Sequence, residues 1–146
     1  MSTQTFSISF SSDEEGFISR ACPECGTRFK AKVVDGEIAI SSCPFCQHDG
    51  NRWETPEQIE YGKAYATKQV LEPQFAKLDR AFKSLGRGGG MVKVTGKMPD
   101  LKVPPKPVEQ TEDMPQRTTS ACCNATVRHD ENVQPRFCIA CGTAAA

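Results

Sequence analysis

Eight cysteines carry most of the metal or redox chemistry this sequence can offer, and they fall in two clusters. The first, Cys22, Cys25, Cys43 and Cys46, reads C-x2-C-x17-C-x2-C. A C-x2-C pair places two soft thiolates on one turn, and a second pair completes the tetrahedron that Zn2+ prefers. The second cluster lies in "ACCNATVRHDENVQPRFCIACG", Ala121 to Gly142, and offers Cys122, Cys123, His129, Cys138 and Cys141. A tetrahedral site has room for one fewer.

The elements that must position these residues are short. Between the first two pairs, "FKAKVV" and "EIAIS" flank Asp35-Gly36, a dipeptide suited to the positive φ angles of a type I′ turn. The expectation is a hairpin centred there, with both cysteine pairs at its open end. So short a segment buries too little apolar surface to fold alone, so metal binding must supply much of its folding free energy. In the second cluster, "ATVRH" and "VQPRF" read as strands around Asp130-Glu131-Asn132, with Pro135 confined to a position that needs no ladder N–H. That register sets Cys122 and Cys123 opposite Cys138 and Cys141. It leaves His129 at the hairpin tip, several strand residues at roughly 3.3 Å each from the metal end. The expected ligands are therefore Cys122, Cys123, Cys138 and Cys141. Adjacent strand residues face opposite ways, so the chain must turn between Cys122 and Cys123. Otherwise His129 or Asp130 takes the place of one of them, and that alternative stays open.

Rival chemistries fit less well. "CPFC" alone would suit thiol–disulfide exchange, but that chemistry wants one dithiol at a helix N-terminus in a βαβ setting. Disulfides are the bland alternative, and a reducing compartment disfavours them. No nucleophile with its base, no open metal position, no paired carboxylates and no phosphate loop stands out, and "GRGGG" lacks the lysine such a loop needs. The chain is therefore not expected to be an enzyme. His48, beside Cys46, reads as a surface residue or a hydrogen-bond donor to a thiolate.

Between the clusters, Thr55, Pro56 and Gln58 mark a helix start, as N-cap, first helical position and capping-box partner. Leu71, Phe75, Leu78, Phe82 and Leu85 follow in alternating steps of four and three, with Gly86 as a stop and Pro73 as a kink or restart. This apolar stripe either packs within the chain, on the first ribbon and the N-terminal strand read in "TFSISF", or forms a seam for a second copy or a partner. Within-chain packing is the favoured expectation. The stretch 87–120 reads as a mobile Gly/Pro-rich linker, with a hinge at Gly88 to Gly90 and a short strand at Met91 to Val94. Its basic residues Arg87, Lys93, Lys97, Lys102 and Lys106 precede acidic Glu109, Glu112 and Asp113. They could touch phosphate, but no aromatic residue among them could stack on a base.

Lysine plus arginine balance aspartate plus glutamate at 18 each, which gives no global bias toward nucleic acid or anionic membrane. Neither a secretory signal nor a membrane-length apolar run is evident, so a soluble cytoplasmic protein is expected.

The knuckles Cys22-Pro23-Glu24-Cys25-Gly26 and Cys138-Ile139-Ala140-Cys141-Gly142 resemble those of the zinc-ribbon family, the rubredoxin-type C-P-x-C-G pattern; Cys43-Pro44-Phe45-Cys46 departs from it in having Gln47 for glycine. Over about a third of its length, the chain resembles small bacterial double zinc-ribbon proteins. The resemblance implies a small metal-stabilised α+β fold with two structural Zn2+ ions per chain. The expected domains are 1–54 (strand and first ribbon), 55–86 (helix), 87–120 (linker) and 121–146 (second ribbon). It further implies a non-catalytic adaptor with a protein partner, or alternatively a nucleic-acid-binding module, the two ribbons engaging one partner through the flexible linker. Oligomeric state is left open.

Overall fold

The computed structural model describes residues 3–86, 99–110 and 114–144. The glycine hinge, the strand expected at 91–94, and Arg87, Lys93 and Lys97 lie outside these. The chain divides into two compact units, Ile8–Ile59 with Pro107–Ala146, and Met1–Ser7 with Glu60–Lys106.

The first unit is built on one antiparallel sheet. Strand β1 (Phe17–Ala21) pairs with β2 (Arg28–Lys32) from Phe17↔Lys32 to Ala21↔Arg28, and β3 (Gln116–Thr119) pairs with β4 (Thr126–His129) from Gln116↔His129 to Thr119↔Thr126. The two hairpins join through Lys30↔Arg128 and Ala31↔Val127, giving the order β1-β2-β4-β3. Alternation along the central strands gives each face a different job. Phe29, Ala31 and Val127 face a core that also contains Cys22, Cys43, Trp53 and Ile139. The Phe29 ring meets Trp53 edge-on at 6.3 Å and Phe45 at 6.1 Å.

The other face carries Lys30 and Arg128, cross-strand neighbours of like charge that are 1% and 5% exposed. Such a pair is repulsive unless acids lie between. Asp13 provides this, its Oδ2 lying 3.8 Å from Lys30 Nζ and 3.5 Å from Arg128 Nη1. Glu109 adds a carboxylate 3.4 Å from Lys30, and Glu15 one 3.5 Å from Arg128. The Gln110 carbonyl accepts from Lys30, and the Phe17 ring lies under the Arg128 guanidinium at 5.6 Å.

An exposed edge strand invites pairing with other chains, and β1 is covered residue by residue. Ala21 N donates to Trp53 O, Ser19 N to Glu109 Oε1, and Phe17 N to Asp13 Oδ1, while Ser19 O accepts from Gln58 Nε2.

Several expectations are corrected. Asp35 and Gly36 do form a turn with φ of 53° and 77°, bridged by Val34 and Glu37. Yet β2 pairs with β1 and β4, and Ile38 and Ile40 pack against the core from a segment that is not a strand. Pairing β2 on both sides buries Phe29 and Ala31 completely, which a two-stranded hairpin with "EIAIS" could not do. Likewise "TVRH" pairs with β3 and β2, and "VQPRF" is not a strand. "TFSISF" has no regular structure either. The second cluster is not a tethered module: β4 shares the sheet with β2, and Glu109 and Gln110, expected in the mobile linker, are fastened to β1 and β2.

Helix α1 (Pro56–Gly86) runs through Pro73 without interruption. Its start is a reciprocal capping box: Gln58 N donates to Thr55 Oγ1 at 3.3 Å and Thr55 N to Gln58 Oε1 at 3.0 Å. Gln58 is its one buried residue among those described. In the second unit Tyr61 stacks on Tyr65, and Asp79 pairs with Lys83 at 2.6 Å. The expected burial of the apolar stripe is met only in part: Leu71 and Phe75 are half-buried, whereas Leu78, Phe82 and Leu85 are 46%, 38% and 68% exposed. No helix among the described residues is long and apolar enough to cross a membrane.

Candidate metal centres

Each hairpin turn presents a cysteine knuckle. Between β1 and β2 the chain turns at Cys22–Gly26: Cys22 N donates to Thr27 O, Gly26 N to Cys22 O, and Gly26 adopts φ of 71°. The second knuckle is clasped by the bridge Ser42↔Asp49, with Cys43 N donating to His48 O and Gln47 at φ 65°. Gln47 thus takes the left-handed conformation that glycine holds in the other knuckle. Sγ atoms of Cys22, Cys25, Cys43 and Cys46 all lie within 4.8 Å of one another. Cys22 and Cys46 are 3.6 Å apart, and Cys25 and Cys43 are 3.8 Å apart.

The second cluster repeats this plan. Ser120 N donates to Ala125 O as Cys22 N does to Thr27 O, and Asn124, at φ 51°, stands where Gly26 does. Phe137↔Ala144 clasps Cys138–Cys141 as Ser42↔Asp49 clasps Cys43–Cys46, with Gly142 at φ 73°. The two rear knuckles lean on each other: Phe137 N donates to Pro44 O, Ser41 N to Ile139 O, and Gln47 Nε2 to Gly142 O. Cys122, Cys123, Cys138 and Cys141 bring their sulfurs within 4.8 Å of one another, with Cys122 and Cys141 at 3.5 Å. The turn required between Cys122 and Cys123 is present, spanning residues 121–123.

The repeat contains one substitution. Ser120 holds the buried position of Cys22, its hydroxyl 3.0 Å from Cys138 Sγ, and the cysteine has moved to 122, where the first knuckle has exposed Glu24. Sequence reasoning missed Ser120. The signal was there in the strand–turn–strand frame before each turn, but the shifted cysteine hid it.

His129 is not at a hairpin tip and belongs to neither group. It ends β4, 2% exposed, with Nδ1 2.9 Å from the Asp130 carbonyl and Nε2 2.9 Å from Thr118 Oγ1. A carbonyl only accepts, so Nδ1 donates to Asp130 O, while Nε2 shares a hydrogen bond with the Thr118 hydroxyl. Asp130 spends its carboxylate on Asn132. His48 sets its ring edge-on to Trp53 at 6.2 Å.

The donor sets fit a tetrahedral thiophilic ion. Zn–S bonds of about 2.3 Å imply sulfur–sulfur edges of roughly 3.8 Å, close to those observed and far beyond a disulfide bond of about 2.05 Å. The free thiols are electrostatically unequal. Burial works against ionising Cys25, but hydrogen bonding with Thr27 brings it down to about 7. The Thr143 hydroxyl and backbone bring Cys141 to about 6, whereas neighbouring Cys141 and Cys122 push Cys123 up to about 12. Burial raises Cys43 strongly. Each group thus combines a thiol lowered toward neutrality with one raised above its ordinary value, and a bound cation would favour the thiolate of the latter. The chain therefore carries two four-cysteine groups able to hold structural metal ions. No family model, curated protein or solved structure matches the chain.

Proposed function

We propose that the protein is a non-catalytic zinc-binding adaptor that holds two Zn2+ ions and presents a protein-binding surface. The observation that carries the metal reading is the gathering of all eight cysteines into two compact groups. Cys22, Cys25, Cys43 and Cys46 would hold one ion and Cys122, Cys123, Cys138 and Cys141 the other. Four thiolates close the coordination shell, so such an ion supplies folding free energy and leaves no open position for substrate. The adaptor reading rests on α1, whose Leu78, Phe82 and Leu85 are exposed on a helix long enough to lie in a partner's groove. Because the two groups share one sheet, avidity from a flexible tether between them forms no part of this reading.

Elemental analysis of protein purified under reducing conditions tests the metal reading. The expected result is two zinc ions per chain, unchanged in His129→Ala because that ring bonds Thr118 and Asp130. One ion in the parent, or two falling to one in the variant, overturns the assignment. For the adaptor role, cross-linking with peptide mapping in cell extract should join α1 to one recurrent partner, and Leu78→Glu with Phe82→Glu should abolish those cross-links. Cross-links indifferent to these substitutions would sink it.

A further inference from the structure

The two cysteine groups share a plan but not an exposure. In the first group Cys22 and Cys43 are buried, 2% and 0% exposed, and the two sulfur contacts of 3.6 and 3.8 Å each contain one of them, Cys22 with Cys46 and Cys43 with Cys25, while the exposed pair Cys25 and Cys46 is held only to within 4.8 Å. An oxidant reaching Cys25 or Cys46 therefore finds the nearest resolving sulfur covered. In the second group Ser120 occupies the buried place and the displaced Cys122 faces solvent; Cys123 and Cys141 are exposed too, and only Cys138 is buried. The 3.5 Å pair, Cys122 and Cys141, is exposed at both ends. Thr143 Oγ1 touches both sulfurs, at 3.0 Å from Cys141 and 3.5 Å from Cys122, and holds them side by side. A cleft of about 330 Å3, lined by Lys32, Glu37, Cys123, Asn124 and Ile139 among others, brings solvent to the same group.

We propose that the second group is a site of oxidation by hydroperoxides, at which Cys122 and Cys141 form a disulfide and the group gives up its metal while the first group keeps its own. In the first step one thiolate of the pair attacks a peroxide oxygen; the O–O bond breaks, the sulfur becomes a sulfenic acid and hydroxide (or alkoxide) leaves. The second thiolate then displaces hydroxide from that sulfur and the S–S bond forms. Two thiolates are oxidised by two electrons in all, and one peroxide is reduced to two hydroxides, or to hydroxide and alkoxide. The disulfide removes two of the four donors, and the remaining pair cannot close a tetrahedral site. A thiol reductant reverses the change. The proposal rests on the two-zinc reading above and assigns its second site a regulated occupancy.

The test uses full-length zinc-loaded protein freed of reductant and treated with stoichiometric hydrogen peroxide. Released zinc is followed with a chromogenic chelator, and disulfides are mapped by mass spectrometry after alkylation. One of two ions should leave about tenfold faster than the other or more, with a Cys122–Cys141 link and alkylated Cys22, Cys25, Cys43 and Cys46. The Ser120→Cys, Cys122→Ala double variant, which rebuilds the first group's pattern, should start with two ions and lack the fast phase. Equal release of both ions, a link elsewhere in the parent, or a fast phase that survives in the double variant overturns the proposal. Fewer than two ions before peroxide is added overturns the underlying two-zinc reading, and this proposal with it. Should the double variant fail to fold, the parent's disulfide map decides alone.

Discussion

Gly142 shows how closely individual positions constrain the paired knuckles. Its φ of 73° is left-handed, and a Cβ there would stand 2.7 Å from Ser42 Oγ. That hydroxyl is not free to swing away, because it donates to Asp49 Oδ1 at 2.7 Å. Gly142→Ala is therefore expected to cost about 2 kcal/mol or more, combining left-handed strain with a steric conflict, measured by chemical denaturation of the metal-loaded protein. Asn124→Gly, at an exposed position that already holds a left-handed φ of 51°, should be neutral or slightly stabilising. A Gly142→Ala protein as stable as the parent would mean that the rear knuckles do not pack as described. At this scale much was legible. C-x2-C spacing and the Asp35-Gly36 turn are local features, set by residues a few positions apart. His129 was read as a tip residue because its strand partner, Gln116, was not recognised; with β3 in place the same residue is buried.

At the scale of the element, the helix start is the clearest agreement between sequence and structure, and its partners go further than the capping box. Gln58 closes the box with Thr55, takes a hydrogen bond from Arg20 Nη1 at 3.1 Å and gives one to Ser19 O at 3.2 Å, so one side chain caps α1 and covers the edge of β1. Gln58→Ala should lose about 2 kcal/mol, from half of the capping box and a buried Thr55 N–H left without its acceptor. Gln58→Glu should recover part of this, since it still accepts from Thr55 and Arg20 but cannot donate to Ser19. Thermal denaturation of the three proteins side by side checks the order. The strands were less legible. Lys30 and Arg128 look like solvent-facing residues in a hairpin pattern, and only the arrival of Asp13 and Glu109 from remote segments makes them buried. Lys30→Met should be destabilising by about 3–5 kcal/mol because it removes the cation beside buried Glu109 and leaves Asp13 with Arg128 alone. A milder effect would place the ionic layer in contact with water.

Across the whole unit, the decisive feature is that β2 and β4 pair while the rear knuckles hydrogen-bond to each other, so the two cysteine groups stabilise one structure. Local sequence patterns favoured two independent hairpins. Nothing within either cluster encodes the register Ala31↔Val127, which is selected by the burial of Phe29, Ala31, Val127 and Ile139 in a common core. The consequence is cooperativity. The chain's single tryptophan, Trp53, reports on the first half through its contact with Phe29. Cys138→Ala removes a buried sulfur from the second group, remote from Trp53 in sequence. If the halves were tethered modules, Trp53 fluorescence would melt as in the parent. With a shared sheet, and with a metal ion held by the second group as proposed, its loss withdraws support from β4 and hence from β2, so the Trp53 transition should fall by about 10 °C or more. Chelation of the parent should expose the Phe29 and Val127 amides, one in each hairpin, to hydrogen exchange at the same rate, because the two hairpins share one core and open as a unit.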